Sequence, residues 1–122
     1  MAEYSSYKDL IVWKKGIELV KEIYSIAKLL PKEETYALSD QMRRAAVSIP
    51  SNIAEGQKRN SKKDFVQFLS IAAGSVAELE TQMTVCKEVG FVSDEELSDG
   101  FALCEEIGKM LGAMIGKLKG SS

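Results

Sequence analysis

Glu55 and Glu78 are the side chains in this sequence best suited by type to acid–base work. Two carboxylates held close together can split into a proton donor and a proton acceptor. Two adjacent arginines, Arg43 and Arg44, offer a plainer reading, in which each carboxylate neutralises a guanidinium between packed helices. The plainer reading is preferred, because nothing else in the sequence builds a substrate pocket around the carboxylates. The chain contains no histidine, so the commonest general base and metal ligand is missing. The Glu-x-x-His pairs of a di-iron bundle are excluded with it. Cys86 and Cys104 fall on core-facing helix positions roughly 10 Å out of level, too far for a disulfide. No glycine-rich phosphate loop occurs. The expectation is a protein without enzymatic activity, metal or cofactor.

A second chemistry is anion binding. Arg43, Arg44, Lys58, Arg59, Lys62 and Lys63 are opposed within residues 39–63 only by Asp40 and Glu55. The run at 58–63 surrounds the expected start of helix three, where free backbone N–H groups favour an anion. A phosphate backbone could dock there with salt-sensitive affinity. No aromatic residue interleaves the run, so bases have no stacking platform, and a solvated turn is the preferred reading of it. Residues 78–106 are the counterpart, with nine acids against Lys87 alone.

The elements that carry these groups read as four helices, at about 8–30, 39–57, 62–89 and 94–118. Helix one has two apolar stripes, Leu10/Trp13/Ile17/Val20/Tyr24/Ala27 and Val12/Leu19/Ile23/Ile26/Leu30, and should touch two neighbours at once. Pro31 stops it, and Tyr36 and Leu38 are expected to pack down from the connection. Ser39 is a candidate N-cap for helix two. Within that helix Pro50 removes a hydrogen bond to the Ala46 carbonyl, so the helix should kink or restart there, with Ser48 and Asn52 near enough to satisfy freed groups. Ser61 to Asp64 resembles a capping box, Gly90 ends helix three, and Ser93 to Glu96 is a full capping box for helix four. Gly100, Gly108, Gly112, Gly116 and Gly120 form a row expected to approach another helix closely. Short connections make the whole an all-α, antiparallel, up-and-down four-helix bundle, one domain over 1–122.

The chain is 122 residues long, 45% hydrophobic, with a formal charge of −2, which argues against a nucleic-acid coat over the whole surface. Its polar start reads as no signal peptide, and no apolar run reaches membrane-spanning length, so a cytoplasmic setting is expected. The second stripe of helix one, the Val47/Pro50/Ala54 strip and the Ile71/Val85/Val89 strip exceed what one small bundle is expected to bury. Such a surplus marks an interface, most commonly with a second copy.

The segment YALSDQMRRAAVSIPSNIAEG (36–56) resembles the signature of the 23S rRNA intervening-sequence proteins. LIVWKK (10–15), DFVQFLSIAAGSVAELET (64–81) and the closing GAMIGKL extend the resemblance over nearly the whole chain. It implies a bacterial four-helix bundle that assembles as a ring-like homopentamer, with no enzymatic activity attached. A related branch, the accessory proteins of diversity-generating retroelements, is strongly basic and binds a reverse transcriptase and nucleic acid. By that resemblance Arg43, Arg44, Ser48, Asn52, Glu55 and Glu78 match structural positions, a polar seam where helix two meets helix three or a neighbouring subunit. The alternative is an accessory protein that contacts RNA, DNA or a nucleic-acid-bound protein through Arg43, Arg44, Lys58, Arg59, Lys62 and Lys63.

Overall fold

Local chemistry sets where each helix begins and ends. The computed structural model describes residues 6–120. The start of the chain and the serine tail at 121–122 lie outside the described residues. The helices are α1 (Ile11–Ala27), α2 (Leu38–Gln57), α3 (Lys62–Glu88) and α4 (Asp94–Gly120), with single 3-10 turns at Tyr7–Asp9 and Lys32–Glu34. At the head of α3 the Ser61 hydroxyl accepts from the Asp64 N–H at 3.1 Å. The box at the head of α4 is reciprocal: Ser93 Oγ accepts from the Glu96 N–H, and Glu96 Oε1 accepts from the Ser93 N–H. At the tail of α3, Gly90 adopts φ +86°. The Phe91 N–H there reaches the Cys86 carbonyl and the Gly90 N–H the Lys87 carbonyl, the paired bonds that close a helix on a left-handed residue.

The head of α2 differs from expectation. Ala37 holds the cap position and Ser39 does not cap. Instead Glu34 Oε1 accepts from the Leu38 N–H, and the buried Ser39 hydroxyl donates to the Ala27 carbonyl at the end of α1. Ser39 therefore ties two helices together rather than terminating one. Tyr36, expected to pack down, is 93% exposed, whereas Leu38 is half-buried and packs against the core.

α2 runs unbroken through Pro50, so the helix does not restart there. Asn52 Nδ2 donates to the Ser48 carbonyl at 2.8 Å, two residues beyond the Ala46 carbonyl that the proline ring deprives of a donor. The buried Pro50 faces α1 at Gly16, where an added Cβ would lie 3.3 Å from Pro50 Cβ. The missing side chain on α1 makes room for the ring on α2.

Each helix packs on its two neighbours in an antiparallel square, α1 on α2 and α4, α3 on α2 and α4. Leu19, Ile23, Ile26, Met42, Ile49, Ile53, Leu69, Leu79, Met83, Leu97, Ile107 and Leu111 are fully buried between them. The second stripe of helix one is thus core, not surplus. Its first stripe is buried at its ends, Leu10 and Ala27, and reaches the surface between them, with Trp13, Ile17 and Val20 half-buried and Tyr24 exposed. Two more glycines serve close approach. A Cβ on Gly56 would sit 2.7 Å from Phe68 Cβ, and one on Gly100 would sit 2.9 Å from Met83 Sδ. Gly108, Gly112, Gly116 and Gly120 have no such neighbour within the chain, so the expected close packing of that row is confined to Gly100.

Candidate functional site

The two carboxylates do not meet. Ser48 lies opposite Ser75 and Gly56 opposite Phe68, which fixes the level of α2 against α3. Glu78 is then three residues above that serine pair and Glu55 seven below it, roughly 15 Å apart along the bundle. No proton can be shared over that distance. Nor do they neutralise Arg43 and Arg44. Glu55 pairs with Arg59 at 2.8 Å, one turn along its own helix. Glu78 accepts from Gln82 Nε2 at 3.4 Å.

The arginines turn elsewhere. Arg43 Nη2 donates to the Thr35 carbonyl at 3.0 Å, its guanidinium lies 6.0 Å from the centre of the Tyr24 ring, and Asp40 stands 3.9 Å away. Arg43 therefore braces α2 against α1 and the preceding turn, on the side away from α3. Arg44 is 81% exposed, with Asp40 at 3.9 Å as its ion-pair partner.

What remains of the seam is a narrower polar line between α2 and α3. The hydroxyls of Ser48 and Ser75 are hydrogen-bonded at 2.5 Å, and Asn52 Nδ2 reaches back to Ser48. Ser75 and Gln82 are buried on the same face of α3, seven residues apart. Gln82 Oε1 is buried without a hydrogen-bond partner. Neither residue stands out by type. Their signal was the seven-residue spacing from Phe68, which puts all three on the face turned to α2.

The two thiols are buried and free. Burial pushes Cys104 up to about 12, with Glu80 adding to the shift, and raises Cys86 as well. Cys86 Sγ contacts Met42 Sδ at 3.6 Å. Protonated core thiols are poor nucleophiles and poor ligands. Among the described residues no group of three or more acidic, cysteine or histidine side chains could hold a metal, and no helix is long and apolar enough to cross a membrane.

The predicted anion surface is rearranged. Arg43 and Arg44 lie about four turns of α2, roughly 20 Å, from Lys58 and Arg59 and share no surface with them. In their place the tail of α4 brings Lys117 and Lys119 to the same end of the bundle, where Lys62, Lys63, Val66, Leu118 and Lys119 line one depression. Lys117 borders an open apolar groove of about 520 Å³ beside it, walled by Leu10, Ile11, Phe65, Met110 and Met114. Arg59 is held over the Phe68 ring at 4.8 Å. Antiparallel topology alone would have brought 117–119 alongside 62–63, so that signal was available in the sequence.

These features define an antiparallel four-helix bundle whose polar groups brace helices and whose surface carries apolar strips and one cationic end. The chain matches the family model of the 23S rRNA-intervening sequence proteins over residues 8–113, and it belongs to that family. It is similar to a protein of unknown function of the S23 ribosomal protein family from Bacteroides thetaiotaomicron VPI-5482, known from a crystal structure at 1.70 Å resolution. The two are 27% identical with a TM-score of 0.80, over 86% of this chain and 98% of that one. No curated protein matches the chain.

Proposed function

We propose that this protein is a non-enzymatic, self-associating helical bundle. The observation that carries the proposal is apolar surface on both flanks of α2 that the single chain leaves uncovered. On one flank Tyr24 and Val47 are 44% and 41% exposed beside the half-buried Trp13, Ile17, Val20 and Ala54. On the other Ile71, Val85 and Val89 are 47%, 42% and 56% exposed along α3. Pro50, expected in the first strip, is buried against Gly16 and contributes nothing to it. Two different apolar faces on one chain suit a contact in which one face meets the other on the next copy, the geometry that closes into a ring. A homopentamer is the expected size by resemblance to the family. The separation of Glu55 from Glu78 and the protonated thiols support a role without catalysis, and two unpaired core cysteines support a cytoplasmic setting.

Size exclusion with light scattering tests the proposal. The expected mass is about five chains at micromolar concentration, falling to one chain when Val85→Lys and Tyr24→Lys are combined. One chain mass for the unaltered protein sinks it.

A further inference from the structure

Six cations from two distant parts of the sequence converge on the end of the bundle where α2 ends, α3 begins and α4 ends. They are Lys58, Arg59, Lys62, Lys63, Lys117 and Lys119. Two acidic side chains lie among them, Glu55 and Asp64, and Glu55 is already paired with Arg59. Lys58, Lys63 and Lys117 form no ion pair among the described residues, in contrast to Lys15, Lys87 and Lys109 on the helix flanks. The opposite end is net acidic: Glu33, Glu34, Asp40, Glu88, Asp94, Glu95, Glu96 and Asp99 gather around the other turns and outnumber Lys28, Lys32, Arg43, Arg44 and Lys87 there. A chain of net charge −2 thus presents one concentrated positive surface.

We propose that this cationic end binds the phosphodiester backbone of a nucleic acid. Long exposed lysines around a shallow depression suit a flexible row of phosphates, each neutralised in turn with release of counterions. The exposed aromatics Tyr24 and Tyr36 lie toward the other end, while Tyr7, Phe65 and Phe68 beside the lysines are half-buried and Phe68 is already covered by Arg59. The contact therefore rests on the phosphates rather than on base stacking or sequence. An acidic protein surface fits less well. A protein interface needs an apolar centre, and between Lys62, Lys63 and Lys119 there are only Val66 and Leu118, both half-buried. The apolar groove that Lys117 borders lies to one side of the lysines rather than among them, and competition by poly-glutamate separates the two kinds of partner. Lys117 and Lys119 also face the negative end of the α4 dipole, a role in stability that binding must be separated from.

The test is fluorescence anisotropy of the full chain with a fluorescein-labelled RNA hairpin and a DNA duplex of unrelated sequence, between about 50 and 200 mM salt. Both probes should bind, with log affinity falling against log salt at a slope of about −5, from ~0.9 for each phosphate neutralised. Combined Lys62→Gln, Lys63→Gln, Lys117→Gln and Lys119→Gln should weaken binding by roughly tenfold or more at about 50 mM salt. Lys21→Gln, Lys28→Gln, Lys32→Gln and Lys109→Gln together, which remove the same charge elsewhere, should leave it unchanged. Helicity by circular dichroism is read on each variant. If the end variant unfolds, Lys63→Gln with Lys117→Gln, both exposed and without ion pairs, replaces it. No binding at low salt, an equal loss from both variants, or equal competition by poly-glutamate overturns the proposal. The mass from light scattering is a separate readout, so failure of self-association leaves this result standing.

Discussion

Ser48 on α2 and Ser75 on α3 are hydrogen-bonded hydroxyl to hydroxyl at 2.5 Å, and Asn52 Nδ2 leans back onto the Ser48 carbonyl. The serine pair is a direct oxygen-to-oxygen hydrogen bond between side chains of α2 and α3. Ser75 is 8% exposed, so removing its partner leaves a hydroxyl that water hardly reaches. Ser48→Ala or Ser75→Ala should each cost about 1 kcal/mol, and the double substitution should cost clearly less than the sum. Urea denaturation of the four chains in the cycle measures it. Strict additivity would mean that the two hydroxyls are not coupled.

Two glycines should respond in opposite directions to the same substitution. Gly56→Ala drives a methyl to 2.7 Å from Phe68 Cβ, an atom fixed to its backbone, and should destabilise by about 1–3 kcal/mol. Gly112→Ala meets nothing within 4 Å and should stabilise the single chain by about 1 kcal/mol through helix propensity. Both are read from thermal melting at a concentration where association is absent. A stabilising Gly56→Ala would mean that α2 and α3 do not approach as described.

Alkaline pH should weaken the fold through its core thiols. Burial holds Cys104 at about 12 and raises Cys86 above the ordinary 9.0. From about pH 9 upward the unfolded chain has lost those protons and the folded chain retains them. The unfolded state then binds fewer protons, and stability falls as pH rises. Lys87, raised mainly by its hydrogen bond to Asp94, adds to the loss in the same direction once pH climbs through its own range. With no histidine in the sequence, no imidazole contributes a step between pH 5 and 8. Urea midpoints across pH 8 to 11 check this. Cys86→Ala with Cys104→Ala should lower stability at neutral pH and flatten the alkaline decline.

Strong local signals carried most of the architecture. The reciprocal bonds of Ser93 and Glu96, the Ser61 cap and the left-handed Gly90 depend on residues within a few positions of each other, and the sequence states them directly. Ser39 misled because a serine before a helix resembles a cap by type, while its hydroxyl is claimed by a carbonyl twelve residues away. The site was less legible for the same reason. Arg43, Arg44, Glu55 and Glu78 have complementary charges, but their pairing depends on the angular position and level of each helix. Those were settled by Gly16 against Pro50 and Gly56 against Phe68, contacts that composition does not announce. The second stripe of helix one was read as surplus because periodicity locates an apolar face without saying how much of it the neighbours cover.

The fit of Pro50 against Gly16 acts as a key in a notch. The residues one turn either side of Gly16 are Val12 and Val20, whose branched side chains would block the ring if α2 slid by about 5.4 Å in either direction. A bundle held by apolar side chains alone tolerates such slippage more readily, because one leucine contact resembles the next. Here the longitudinal setting of α2 is discrete. It decides that Lys58 and Arg59 end level with Lys62 and the tail of α4, so the polarity of the molecule from end to end is set by a proline and an absent side chain near its middle.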